Sequence, residues 1–361
     1  MKKGTSWIHG TLFVGFALMA GTAMGSSLSV PPPARPTPEM VQWARARIPP
    51  SGSPTVRLGA LVRALQSSSE IDLQYDADST VTAREVFEEG RFNCLSFSHL
   101  FVGLARSLGM EVDYLEVEPL RFGKSGDLVL ASGHVTVGFG TGFRRQILEI
   151  GSRPKNELIR ARVIPDRRAH ALHFANLGTE AFLDSRTEEA TELLSKALSI
   201  EPELASAWTN LGVIRRRDGD LAGAEEAHRR AIEADGDHVA AYHNLFSLLL
   251  FQGRESAARE IESLLARSAN RNPYAWLSLG EFTLEEDRLE DAQRFLRRAY
   301  RLAPREGDVL LARAELELER GELEKARKWL RRAEELTSDR QRLEELKAVL
   351  YPERTARVST D

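Results

Sequence analysis

From residue 94 to residue 108 apolar side chains recur every three or four positions, at Phe97, Leu100, Phe101, Leu104 and Leu108. That spacing predicts an amphipathic helix that Gly109 stops. Upstream, Thr82-Ala83-Arg84-Glu85 has the form of a capping box opening a short helix, and Gly90 ends it. Further short helices are expected over 39–48, stopped by Pro49-Pro50, and over 55–66. Past Gly109 the pattern changes to brief apolar runs at 111–118, 128–139 and 144–150, with Gly123, Gly126, Gly140 and Gly142 between them. These read as strands and turns. A helix followed by three strands predicts a small α+β domain over 55–165.

Beyond residue 171 the chain turns rich in Ala, Leu, Glu and Arg and repeats itself. Phe174, Trp208, Tyr242, Trp276 and Leu310 stand 34 residues apart, as do Ala190, Ala224, Ala258, Ala292 and Ala326. Leu177, Leu211, Leu245 and Leu279 keep the same step, and so do Ala197, Ala231, Leu265, Ala299 and Ala333. Pro202 and Pro304 close two of the units. This pattern resembles the tetratricopeptide repeat, in which small residues let the paired helices of one unit approach and large ones fill the gaps between units. The resemblance implies an all-α repeat solenoid over 166–350, with units starting near 171, 205, 239, 273 and 307, and a tail over 351–361. Leu177-Gly178, Leu211-Gly212 and Leu279-Gly280 share a dipeptide. Leu245-Phe246 departs from it, so the third unit should hold its helices further apart. Arg313-Ala314 marks the fifth unit as a cap, and 338–349 should add a solvating helix. Trp208, Tyr242 and Trp276 read as core residues, and the runs Arg215-Arg216-Arg217 and Arg297-Arg298 as solvated faces balanced by Glu225, Glu226, Glu285 and Glu286. His170 and His173 have a spacing that suits a metal, but no third ligand is near in sequence and they read as an ordinary helix start.

The beginning of the chain carries an address. Lys2 and Lys3 precede the apolar stretch from Thr11 to Ala20, and Ala23-Met24-Gly25 has the small-x-small form of a cleavage site. Residues 1–25 are therefore expected to be a signal peptide cut after Gly25, giving a periplasmic or secreted bacterial protein. Membrane contact would arise only through an uncleaved signal. Residues 26–54 follow as a proline-rich linker and short helix, and the run from Val30 to Pro38 is expected to be extended and unpacked. Over the 361 residues, 42% hydrophobic and 28% charged residues exclude a disordered chain. A net charge of -4 argues against nucleic acid as a partner. The one cysteine rules out a disulfide within the chain.

That cysteine is where the chemistry gathers. Cys94 opens the helix of 94–108, where the dipole and the terminal N–H groups favour a thiolate. It lies on the flank of the apolar stripe and should point toward the strands. An inert buried thiol is the competing reading. His134, in Gly133-His134-Val135-Thr136-Val137, shares a strand face with Thr136. His99 is the rival base, but lies about 140° around the helix from Cys94 and should face away from both the thiol and the apolar stripe. Glu149, in Gln146-Ile147-Leu148-Glu149-Ile150, is a carboxylate inside an apolar strand. It is the candidate for the third group that orients an imidazole. Asn93 could offer its amide to an oxyanion; Glu88, ionised, could not.

Asn93-Cys94-Leu95-Ser96, followed by Leu104-Ala105-Arg106-Ser107-Leu108-Gly109, resembles the transglutaminase-like (papain-like) superfamily over about 80–155. In that family a Cys opens the central helix and a His and an Asp follow on adjacent strands. The resemblance places Cys94 and His134 in the first two roles, with Glu149 standing where the family has Asp. Val135 and Thr136 stand where it often has an aromatic. The fold class implied is an α+β transglutaminase-like domain followed by an all-α tetratricopeptide-repeat solenoid, joined at Asp166-Arg167-Arg168-Ala169. Two functions are open. One is an exported cysteine hydrolase or acyltransferase acting on amide bonds, with a protein or peptide held in the repeat groove. The other is an adaptor with an inactive head. Neither calls for a cofactor or a metal.

Overall fold

The computed structural model of the chain describes residues 32–68, 70–117, 123–125, 128–130, 134–140, 145–148, 161–268, 273–337 and 339–352. The expected signal, Glu149 and most of the tail lie outside these residues. The described residues fall into two compact units, one within 1–119 and 131–214, the other within 120–130 and 215–361.

The first unit begins with a short 3-10 helix, Pro32–Ala34, then α1 (Pro38–Arg47) and α2 (Pro54–Gln66). Thr37 and Ser53 cap α1 and α2, each with proline at the helix start. Strand β1 (Gln74–Tyr75), helix α3 (Ala83–Glu89), strand β2 (Arg91–Phe92) and helix α4 (Cys94–Ser107) follow. The capping box at Thr82 and Glu85 forms as expected. The proline-rich stretch is not the unpacked linker it reads as. Pro33 and Ala34 are buried, and a side-chain carbon at Gly103 would run into the Ala34 carbonyl. Gly103 thus lets the backbone of that stretch lie directly on α4. Trp43 packs edge-on to Phe87 and donates to Glu70 at 2.7 Å, which ties α1 into the same core.

Helix α4 is the axis of this unit, and every residue from Cys94 to Arg106 is buried. After it come β3 (Asp113–Val117), β4 (Gly123–Ser125), β5 (Leu128–Leu130), β6 (His134–Phe139), β7 (Gln146–Leu148) and β8 (Ala161–Ile164). The expected strand over 128–139 is two strands. β8 carries no strand signal in its sequence, because its two middle residues are exposed and it shows no alternation. The main sheet has the order β7-β6-β3-β8 and is antiparallel throughout. β4 and β5 form a separate hairpin that belongs to the second unit and lies against α9 (Val239–Phe251) of that unit.

Then come helices, α5 (Asp166–Leu183) paired with α6 (Thr187–Ile200), next in sequence α7 (Ala205–Arg217) and α8 (Leu221–Ala234), then α9 paired with α10 (Glu255–Ser268). α11 (Pro273–Glu285) with α12 (Leu289–Leu302), α13 (Gly307–Glu319) with α14 (Leu323–Ala333), and the terminal α15 (Arg340–Leu350) complete the array. α7, α9, α11 and α13 begin 34 residues apart, at 205, 239, 273 and 307, and α5 begins at 166. The small positions explain the fit. Ala190, Ala224, Ala292 and Ala326 are fully buried, and an added carbon at Gly280 would come within 2.5 Å of Leu296. Phe246, in place of that glycine, is buried against Phe282 and Phe295, and α9 packs on α10 less closely than α11 on α12.

Candidate active site

Helix α4 and strand β6 run the same way, because β3 turns back after α4 and pairs antiparallel with β6. Cys94, the first residue of α4, and His134, the first residue of β6, therefore lie at one end of the unit. Ser98 pins this register. Its Oγ donates to the Cys94 carbonyl at 2.7 Å and approaches the Val135 carbonyl at 3.2 Å. Cys94 and Ser98 are one helical turn apart on the stripe of α4 that meets β6. Cys94 is 9% exposed; His134 is half-buried and pairs with Val117 across the sheet. Thr136, buried, follows on the same side as His134 by alternation, and its hydroxyl donates to the Leu148 carbonyl.

That bond and the register Val137↔Leu148 fix the last described residue of β7 beside β6. Glu149 is the next residue in the chain and lies outside the described residues. Asn93 is the N-cap of α4. Its Oδ1 accepts from the Ser96 N–H at 2.9 Å and its Nδ2 donates to Thr80 Oγ1 at 2.7 Å. Ser96 in turn accepts from the Val81 N–H at 2.8 Å, so the loop before α3 is tied to the start of α4. These bonds hold the Cys94 end of the helix in place.

His99 does not face away from the core as its angle on the helix predicts. It is fully buried, its Nδ1 lies 2.9 Å from the Tyr114 hydroxyl, and its ring meets His173 of α5 edge-on at 5.4 Å. An angle on the helix separates inside from outside only where one face is buried, and α4 is buried on all of them. Burial, then the nearby His173 and His170, hold His99 well below the ordinary histidine range. Burial, with His170 adding to it against Glu85, lowers His173 to about 4. Both rings pack as neutral groups. Among the described residues no group of three His, Cys, Asp or Glu side chains is placed to hold a metal.

The segment Asp166-Arg167-Arg168 joins the sheet to the first repeat through ion pairs. Arg106, buried, donates to Asp166 at 2.5 and 3.0 Å and to the Val112 carbonyl. Arg168 and Arg162 both bind Glu116 at 2.9 Å, and Arg167 binds Glu201. Burial alone would raise the Glu116 carboxyl, but the hydrogen bond and charge of Arg168, with Arg162, bring it below its usual range. α5 is thus tied to α4 and to the sheet as well as to α6, a role that apolar periodicity does not reveal.

In the second unit α11, α13 and α15 line a cleft of about 560 Å³. Glu281, Glu285, Glu315, Asp339 and Glu345 border it, and Arg342 bridges Glu281 and Glu315 within it.

Two matches to tetratricopeptide-repeat family models cover residues 176–239 and 283–350. No curated protein matches the chain. Among solved structures the chain is similar to PilF of Pseudomonas aeruginosa, with 22% identity over 54% of this chain and 88% of that one, at a TM-score of 0.39. It is similar to a thermophilic repeat protein of Thermus thermophilus, with 20% identity over 50% of this chain and 98% of that one, also at 0.39. YrrB, a repeat protein described as having an unusual peptide-binding site, aligns at 17% identity over 49% of this chain and 91% of that one, at 0.32. Over residues 176–239 and 283–350 this chain is built of tetratricopeptide repeats.

Proposed function

We propose that this is an exported cysteine hydrolase or acyltransferase acting on amide bonds, with its repeats holding the protein or peptide substrate. The observation that supports the proposal is the common end of α4 and β6, whose first residues are Cys94 and His134. Cys94, as thiolate, attacks the amide carbonyl carbon. The C–N bond breaks, and the amine leaves with the proton held by the His134 imidazolium. Water or an acceptor amine then attacks the thioester, gives its proton to His134 and releases Cys94 as thiolate. Glu149, the residue after β7, would orient the ring. Asn93, at the same helix start, would have only the second proton of its amide for the oxyanion, since Nδ2 already donates to Thr80 and Oδ1 caps the helix. Hydrolysis and transfer share the first half of this sequence.

A second reading rests on the burial of Cys94, which is 9% exposed. A cysteine so enclosed fits an inactive head on a polypeptide-binding adaptor. An electrophilic amide-mimic probe separates the two. Labelling of the folded chain that disappears in Cys94→Ala and falls at least about tenfold in His134→Ala supports the enzyme. Labelling only after denaturation supports the adaptor.

A further inference from the structure

Several arginines of the second unit sit on carboxylates: Arg254 on Glu225, Arg288 on Asp291, Arg294 on Glu262, Arg342 on Glu281. Between α12, α13 and α14 two arginines sit on aromatic rings instead. Arg313 occupies the position that leucine holds in the other units, at 177, 211, 245 and 279. Its guanidinium lies 4.2 Å from the Trp329 ring centre and 5.1 Å from that of Tyr300. Arg332 covers the same two rings from 4.8 and 5.3 Å and donates to the Tyr300 hydroxyl at 2.8 Å. The rings themselves meet edge-on at 5.1 Å. Among the described residues neither arginine forms an ion pair, and the buried Nε of Arg313 has no hydrogen-bond partner.

Two guanidinium groups on one aromatic pair repel each other, and Arg297, three residues before Tyr300, adds a third cation whose field reaches Arg313. Glu317, one turn after Arg313, attracts it without an ion pair. Ring faces offset part of this charge but supply no acceptor for the N–H groups. Burial, with Arg297 and Arg332 opposing Glu317, pulls the Arg313 guanidinium below its ordinary range.

We propose that Arg313 and Arg332 form an oxyanion site on the fifth repeat, walled by Tyr300 and Trp329, that takes a carboxylate or phosphate group of a ligand. Guanidinium forks match both groups, and an anion there supplies the acceptor and charge that the cluster lacks. The site is independent of Cys94 and of the acid-bordered cleft.

Thermal unfolding of the full chain at low salt tests it, with inorganic phosphate and a hexaglutamate peptide as probes and sodium chloride at matched ionic strength as reference. A saturating probe should raise Tm by at least about 2 °C beyond chloride. Arg313→Leu, which installs the residue of the other units, should keep the ligand-free Tm and lose the rise. Arg332→Gln should weaken probe affinity at least about threefold and decides the matter if Arg313→Leu fails to fold. A response to phosphate alone assigns a small free oxyanion; a response to the peptide assigns a carboxylate-bearing chain; both support the site. A rise no larger than that with chloride, or a full rise in Arg313→Leu, or in Arg332→Gln should the leucine variant not fold, overturns it.

Discussion

At the scale of single residues, the most telling groups are the buried histidines. His228 of α8 is fully buried, and both ring nitrogens lack hydrogen-bond partners. Burial, with Arg216, His238 and His243 adding to it, lowers its pKa from 6.5 to about 3. Between those two values the unfolded chain binds the proton and the folded chain does not. Stability therefore falls as pH drops from 6.5 toward 3, and is restored as it rises. Going from pH 7 to pH 5 this one ring should remove about 2 kcal/mol, and His228→Leu should recover most of it. Urea midpoints at the two pH values check this; an equal loss in the variant would mean that other groups carry the acid sensitivity. His99 and His173 act in the same direction in the first unit. The sequence does not reveal such rings, because burial of a histidine depends on how many neighbours surround its helix.

At the scale of elements, the helix pairs follow from spacing alone. The alanine and glycine positions recur every 34 residues because two helices can approach only where side chains are small. Gly280→Ala is the direct check. The added methyl would meet Leu296 at 2.5 and 2.7 Å, and the strain should cost about 2 kcal/mol by chemical denaturation. No measurable loss would show that α11 and α12 have room to part. α3, α4 and the strands at 113–117 and 146–148 were legible for similar reasons, through a capping box, an apolar stripe and glycine turns. What escaped was set by tertiary contact. Pro32 to Ala34 looks like a linker until Gly103 of α4 gives it a bed. β8 pairs at a sheet edge with its middle residues in solvent, so its sequence carries no alternation.

At the scale of the molecule, the division within the chain differs from the change in composition. Composition shifts near residue 171, yet the first repeat belongs to the same compact unit as the sheet. The reason is electrostatic as much as apolar: Arg106 and Glu116 meet Asp166 and Arg168 across that joint. Asp166→Ala leaves Arg106 buried without its carboxylate and should destabilise this unit by about 3 kcal/mol, seen as an earlier urea transition. A shift below about 0.5 kcal/mol would show that the Val112 carbonyl suffices for Arg106. The candidate site was legible in part. Cys94 and His134 stand out by residue type and element, and their common end follows from strand order. The fit of Glu149 depends on chain outside the described residues. The central claim is a thiolate–imidazolium pair, and the rate of Cys94 alkylation by iodoacetamide against pH measures it directly. The account predicts reaction of the folded chain with a midpoint below pH 7, shifted to about 8.5 in His134→Ala. A wild-type midpoint already at the ordinary thiol value, or a sulfur that reacts only when the chain unfolds, would contradict it.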